Sequence, residues 1–314
     1  MNAASSARKK PGLRRRCRAR WQLFLFLLVP LAYIIVFHYV PMFGIQIAFK
    51  NFTPSKGIWG SDWVGLKHFR TFFTSYQAKR VIVNTLRLSF YGLAVNFPLA
   101  IIFALMLNLV RSMRFKKFAQ TLTYIPHFIS TVIMVGMMFQ VLGSVSGLYG
   151  NIHKLLTHSL PKDIFGVPSR FPHIYVWSGV WQELGWNSII YMAALAGVDP
   201  QLYEAAEIDG ASRMQRIIHI ELPCLLPTAA VLLILDSGSI LSVGFEKAYL
   251  LQNTVNQPYS EIISTYVYKV GLNSASNFSY GTAVGLFNSV VNCSMLVLVN
   301  LLARKLSGNE TSLW

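Results

Sequence analysis

Long apolar runs separated by short polar connections dominate this chain. A helix needs about 20 apolar residues to cross a hydrocarbon core about 30 Å thick. Six stretches have that length: Trp21–Phe43, Val83–Val110, Thr121–Leu142, His173–Gly197, Cys224–Gly244 and Gly281–Ala303. The fourth is the least clean, because Gln182, Glu183 and Asn187 interrupt it. The pattern predicts an all-α integral membrane protein of about six transmembrane helices. Segment 44–82 is long, with turn-forming Pro54, Gly57 and Gly60 among Trp and Phe residues, and reads as a small folded cap. The expected organisation is a tail over 1–20, the first helix with its cap over 21–82, five helices over 83–305 and a second tail over 306–314.

Composition supports the membrane reading. Hydrophobic residues make up 54% of the chain and charged ones only 13%, where a soluble domain carries about a quarter. The net charge of +16 invites a nucleic-acid partner, but its distribution excludes that class. Eight Lys/Arg crowd into the first twenty residues, directly before an apolar run, as in a cytoplasmic anchor facing anionic lipid. Arg14, Arg15 and Arg16 before Leu23–Phe37 also resemble a signal peptide, even a twin-arginine one. The apolar run continues to Phe43, however, and no small-x-small cleavage site closes it, so an uncleaved first helix is expected.

Orientation follows from basic residues in the short connections. The first tail, the connection Arg111–Lys117 and the closing Arg304-Lys305 fall on one side of a six-span chain. That side is expected to be the cytoplasm, with both termini there, and segment 198–223 shares it.

Chemistry of the catalytic kind is missing. Cys17, Cys224 and Cys293 are scattered, with no CxxC, no HExxH and no metal-ligand spacing. There is no GxxxxGK[ST] phosphate loop, so ATP is not expected to bind this chain. Polar residues inside the spans are Glu183, Asn187, Asp236, Asn288 and Asn292. Such groups are costly in lipid and should face a bundle interior or a water-filled path; the two late asparagines fit interhelical hydrogen bonding equally well.

Segment 199–223 carries most information. Asp199-Pro200 starts a helix well, as a capping carboxylate followed by proline at the first helical position. Glu204, Glu207 and Asp209 suit its N-terminal part, and Gly210 breaks it or admits a close neighbour. A second amphipathic turn sets Ile217, Ile218 and Ile220 against Arg213 and Arg216, and Pro223 is expected to end it before the fifth span. The result is a short helix–turn–helix across the cytoplasmic face.

Glu204-Ala205-Ala206, then Gly210 four residues on, then Ile220-Glu221-Leu222-Pro223 after nine more, resembles the signature of permease subunits of binding-protein-dependent ATP-binding-cassette importers. The segment also lies between the last two spans, where those permeases carry it. Pro41–Lys50, Trp63-Val64-Gly65-Leu66 with Phe69, Asn84-Thr85-Leu86 and Phe245–Leu251 are similar to the polysaccharide and oligosaccharide branch, of which an alginate importer is one member. The resemblance implies the type-I importer fold and a coupling helix, with Glu204, Ala205, Ala206, Asp209, Gly210, Ile220, Leu222 and Pro223 against a separate ATPase. It implies ATP and Mg in that ATPase rather than any cofactor here, and a bacterial inner-membrane location. It further implies a second homologous permease chain, habitually a heterodimer for sugars, and a periplasmic or lipid-anchored substrate-binding protein.

A carbohydrate wants flat aromatic faces and amides or carboxylates for its hydroxyls. The fourth span offers Trp181, Glu183, Trp186 and Tyr191, and the fifth offers Asp236. By the resemblance, Glu183, Trp186, Ser239, Ser242 and Phe245 line the pathway. The aromatic residues also fit an interfacial belt or plain packing. Two other classes compete. An ion-coupled secondary transporter would want inverted repeats with broken helices in paired positions, and a membrane enzyme would want a loop constellation of acids, His or metal ligands; neither pattern is evident.

The charge asymmetry makes a topological prediction. In a cysteine-free background, a cysteine at Ser212 should react with a membrane-impermeant reagent only after lysis, and one at Ser55 in intact cells. Labelling of position 212 from outside would reverse the orientation.

Overall fold

The computed structural model describes residues 21–273 and 277–307. The tail expected over 1–20, with Cys17, and residues 308–314 of the second tail lie outside them. The chain begins with helix α1 (Trp21–Ile34), which passes through a π-turn (Ile35–Tyr39) into a 3-10 stretch (Val40–Phe49). The π-turn has a local cause. Pro41 has no N–H and its ring would crowd the carbonyl four residues back, and the wider turn, closed by Val40 N–H to the Ile35 carbonyl, relieves that crowding.

The cap contains a two-stranded antiparallel ribbon, β1 (Lys50–Asn51) and β2 (Asp62–Trp63), paired Lys50 to Trp63 and Asn51 to Asp62. Trp63 stacks on Phe49 at 5.6 Å, and buried His68 of helix α2 (Lys67–Thr74) bonds the Lys50 carbonyl at 3.1 Å. The Phe52 N–H donates to Ser279 Oγ at 2.8 Å, fastening the cap to the last helix.

Ser75 then caps α3 (Tyr76–Leu109), accepting from Ala78 N–H at 3.2 Å. At 34 residues it is about 51 Å long, well beyond a hydrocarbon core. It is also the spine of the bundle. Its Ala78 and Val81 join one buried cluster with Phe72, Ile263 and Tyr280. Leu88 joins a second with Met134, Phe171 and Ile262, and Ala100 and Ala104 join a third with Tyr191, Leu195 and Leu225.

The third expected span is not one straight helix. Helix α4 (Met113–Tyr124) runs into a 3-10 turn (Ile125–Phe128), breaks, and restarts as α5 (Thr131–Leu142), bent by 103°. Pro126 removes a backbone donor, and Ser130 starts the new helix by accepting from Ile133 N–H at 3.4 Å. Helix α6 (Leu148–Thr157) follows, and then α7 (Phe171–Ala196), which packs along α3.

After the short helix α8 (Pro200–Ile208) comes the fifth span, whose expected limits need two corrections. Pro223 does not end a helix. The turn Arg213–Arg216, a π-turn (Ile217–Glu221) and α9 (Leu222–Ser237) run on as one helix, Arg213–Ser237, and the π-turn admits Pro223 as it does Pro41. The helix also stops at Ser237, short of Gly244. There Asn292 meets the unwound chain: its side-chain oxygen accepts from Leu241 N–H at 2.8 Å and its amide donates to Ser242 Oγ at 2.8 Å. Asn292 is therefore an interhelical tie. Helices α10 (Phe245–Leu251) and α11 (Ile263–Tyr268) lead to α12 (Phe278–Ser307).

Each of the six expected stretches contains helix. Among the described residues four helices are long and apolar enough to cross a membrane: Leu25–Phe49, Tyr76–Leu109, Arg213–Ser237 and Phe278–Lys305; the bent pair makes five if counted as one span. Helix α7 has the length but not the apolarity, for a reason that its contacts explain below.

At the N-terminal end of α3 a buried carboxylate ties three elements. Glu261 pairs with Arg80 and, at 3.2 Å, with Lys269, and accepts from Gln257 at 2.9 Å. Burial pushes its carboxyl up, but the Gln257 amide and the two cations outweigh burial and hold it below the ordinary value. Removing one partner of a buried pair costs about 3–5 kcal/mol, and the partly exposed Arg80 and Lys269 put this case at the low end. Glu261→Gln should therefore lower the thermal midpoint of the purified protein. Because the folded carboxyl is the more acidic one, the gap from wild type should be full above pH 4.5 and close as pH falls further. A gap that widened in acid would refute the ion-pair account.

Candidate translocation site

Helices α3, α7 and α9 and the chain just after α9 line an open cavity of about 590 Å³. Polar residues interrupt α7 because they serve the neighbouring break. The Gln182 amide donates to the Ile129 carbonyl at 2.9 Å, satisfying backbone that the α4–α5 bend leaves unpaired. Next to it, His127 Nδ1 donates to the Glu183 carboxylate at 2.7 Å, and the His127 ring lies flat on Trp186, 4.1 Å between centroids and 6° apart. Gly185 lets the helices meet: a Cβ there would lie 2.3 Å from the Thr123 carbonyl oxygen. One turn of α7 thus meets the bend through Gln182, Glu183 and Trp186, and the last two also line the cavity.

Six of the eight expected pathway residues line this cavity: Glu183, Trp186, Tyr191, Asp236, Ser239 and Ser242. Tyr191 is at the same time 3% exposed and part of the α3–α7–α9 packing. Phe245 lines a smaller adjoining cavity of about 360 Å³, also walled by Glu183, and stacks on Tyr249 at 5.4 Å. Trp181 is the exception. It lines neither cavity and is half-exposed on the bundle exterior, where an interfacial or packing role fits it. Trp177 is likewise outside, donating to the Tyr91 hydroxyl at 3.0 Å.

The expectations missed the α3 wall, where Ser89, Gly92 and Asn96 face the cavity. Their i, i+3, i+7 spacing was a readable signal, masked by the apolarity of the run around them. They also missed His127 and Lys247, whereas Asn187, expected to face a bundle interior or a water-filled path, does line the cavity. Among the described residues no three His, Cys, Asp or Glu side chains converge as a metal site.

The segment after α7 has a definite geometry. Asp199 accepts from Gln201 N–H at 2.9 Å as the cap of α8. Gly210 sits at φ +72° and closes the helix: its N–H reaches the Glu207 carbonyl at 3.2 Å, and Ala211 N–H reaches Ala206 at 2.9 Å. Ser212 and Gln215 then cap the fifth span reciprocally. Glu204, Ala205 and Asp209 are exposed, Ala206 and Ile220 half-buried, and Leu222 and Pro223 exposed at the start of α9. Leu202, Ile208, Met214 and Ile218 also turn apolar surface outward. Glu221 is buried beneath them, accepting from Asn108 of α3 at 3.0 Å and from Tyr203 of α8 at 3.4 Å.

Residues 96–308 match the family described as binding-protein-dependent transport system inner membrane component. The chain belongs to that family. It is 47% identical to the polygalacturonan/rhamnogalacturonan transport system permease protein YteP of Bacillus subtilis (strain 168), covering 90% of this chain and 88% of the relative. It superimposes with a TM-score of 0.85 and 39% identity on a chain in the crystal structure of a bacterial ABC transporter that imports the acidic polysaccharide alginate, over 94% of this chain and 99% of that one. A chain of the bacterial alginate ABC transporter in complex with an alginate pentasaccharide-bound periplasmic protein matches with the same TM-score at 38% identity, over 94% of this chain and 98% of that one. The family member described here is thus a transport permease of the polysaccharide and oligosaccharide branch, with the all-α fold of an importer permease. Its matched region takes in α7, α8 and α9 whole, and so the cavity's Glu183 and Asp236 as well as Gly210.

The cavity predicts two uptake phenotypes. Trp186→Ala and Glu183→Ala should each cut substrate uptake by about tenfold, the scale of one lost stacking or charged hydrogen bond of about 1.5 kcal/mol. Both proteins should still reach the membrane in full amount. Uptake at wild-type rates in both would return these residues to a packing role.

Proposed function

We propose that this chain is one half of the translocation path of an ATP-driven importer that carries an acidic oligosaccharide into a bacterial cell. The observation that carries the proposal is the cavity between α3, α7 and α9, lined by amides, carboxylates and Trp186, on a fifth span that begins at an exposed helix-turn. Amides and carboxylates suit sugar hydroxyls and the indole suits a sugar face. The named cargoes of the relatives, polygalacturonan and alginate, are polymers of uronic acids, which supports an acidic saccharide here.

In this reading segment 202–223 is the coupling element. Two ATPase subunits holding ATP and Mg lie beneath the membrane, and each groove receives a helix such as α8. Leu202, Ile208 and Met214 give it apolar contact, and Glu204 and Asp209 give it charge. A second permease chain completes the path, and a periplasmic or lipid-anchored binding protein delivers the sugar. Both termini lie in the cytoplasm and the protein sits in the inner membrane. When the ATPases close, α8 moves with them. Glu221 links that motion to α3 through Asn108 and to α8 through Tyr203, and it stands in the continuous helix that carries Asp236 to the cavity.

Two substitutions test the coupling. Glu204→Lys reverses an exposed charge in α8 that the partner would meet. Gly210→Val places a β-branched side chain at a positive φ that it rarely adopts. Neither residue lies in a span, so membrane insertion should persist. The expected outcome is ATPase lost from the purified complex, or retained without stimulation by the binding protein, and substrate uptake reduced at least tenfold. Normal ATPase retention, stimulated hydrolysis and uptake in both variants would remove the coupling role from 202–223.

A further inference from the structure

Lys247 stands apart from the polar residues accounted for so far. It lies in α10, is 9% exposed, and lines the smaller cavity together with Glu183, Gln182 and Asn96. Among the described residues it forms no ion pair. A buried ammonium is costly unless something compensates it. Glu183 is within electrostatic reach, but that carboxylate closes on His127 at 2.7 Å instead. What Lys247 has is a seat. Its Nζ lies 4.6 Å from the centre of the Tyr175 ring, a cation–π contact. It also fits against Gly179, where a Cβ would come within 3.2 Å of it. Tyr175, Gly179 and Glu183 are successive turns of one face of α7, so the helix is shaped to hold an ammonium at the cavity wall.

We infer that Lys247 receives a carboxylate of the sugar as it passes, and so selects uronate over neutral saccharides. The inference rests on the acidic-oligosaccharide reading and adds the residue that performs the selection. A uronate entering beside Glu183 and Asp236 meets two like charges. The His127 hydrogen bond turns Glu183 aside, and Lys247 supplies the positive centre that the wall otherwise lacks. Asn96 and Gln182 stand in the same cavity for the neighbouring hydroxyls. The seat holds the ammonium from one side, by the Tyr175 face, and leaves its donors for a ligand on the other.

The test uses the complete transporter in proteoliposomes, with one binding protein throughout so that its own preference cancels. Initial uptake is measured at low concentration for trigalacturonate and for its methyl ester, which has the same shape without the charge. A charge-assisted hydrogen bond is worth roughly ten- to hundredfold in rate at this limit. Lys247→Met should lower the acid-to-ester ratio by about that factor, and Lys247→Arg should recover most of it. Gly179→Ala, which crowds only the flexible end of Lys247, should lower the ratio in the same direction. It carries the test if Lys247→Met fails to assemble. An unchanged ratio in Lys247→Met, or in Gly179→Ala where Lys247→Met fails to assemble, overturns the inference. So does equal loss of both probes in Lys247→Met and Lys247→Arg, which would mark Lys247 as packing. If wild type takes up neither probe, or only the ester, the acidic-oligosaccharide reading fails first and the inference falls with it.

Discussion

Everything in this bundle is mounted on the contact between α3 and α7. In a bilayer the apolar effect does not drive helices together, so close packing and internal hydrogen bonds must hold them. Helix α3 supplies the length, contributing to all three buried clusters from its N-terminal end to its C-terminal one. Helix α7 supplies small and polar residues where the neighbours come nearest: Gly185 against the Thr123 carbonyl, Gln182 on the Ile129 carbonyl, Glu183 on His127. The cavity is the space these two helices leave on the side of α9.

The same economy explains why broken helices are tolerated. The α4–α5 bend frees backbone groups, and a side chain of α7 meets one of them. The early end of α9 frees others, and Asn292 of α12 meets them. Pro41 and Pro223 are each admitted by a π-turn just before them, at no loss of helix continuity. In the second case the continuity has a use, since Arg213–Ser237 then joins the exposed turn at Gly210 to the cavity residue Asp236 without a joint. Glu221 lies inside that helix and bonds both α3 and α8, so the three helices are tied together next to the exposed turn.

Much of this was legible in the sequence, and for a physical reason: the features concerned are local. About twenty apolar residues give a helix the length to span a hydrocarbon core. Asp199-Pro200 caps α8 by its own side chain, and Gly210 takes a positive φ because it has no Cβ. The capping pair Ser212 and Gln215 was equally readable at its three-residue spacing and passed unnoticed. Glu183, Asn187 and Asp236 announced a cavity because charge and amide in lipid must face something polar.

What the chain alone left undecided needs two or more elements at once. Apolarity over Thr121–Leu142 says nothing of a 103° bend, because the bend depends on Gln182 from another helix to meet the freed carbonyl. Of the tryptophans in one polar-interrupted helix, only rotation against α3 and α4 decides that Trp186 faces the cavity and Trp181 the exterior. Lys247 lies some sixty residues from Glu183, beyond the fifth span, and no spacing relates the two. Local sequence determined the helices, their caps and the exposed turn, since hydrogen bonds within a few residues form them. Only the packing of α3, α7, α9 and α10 decided which polar side chains share one cavity, since that depends on distances between helices that the order of residues does not contain.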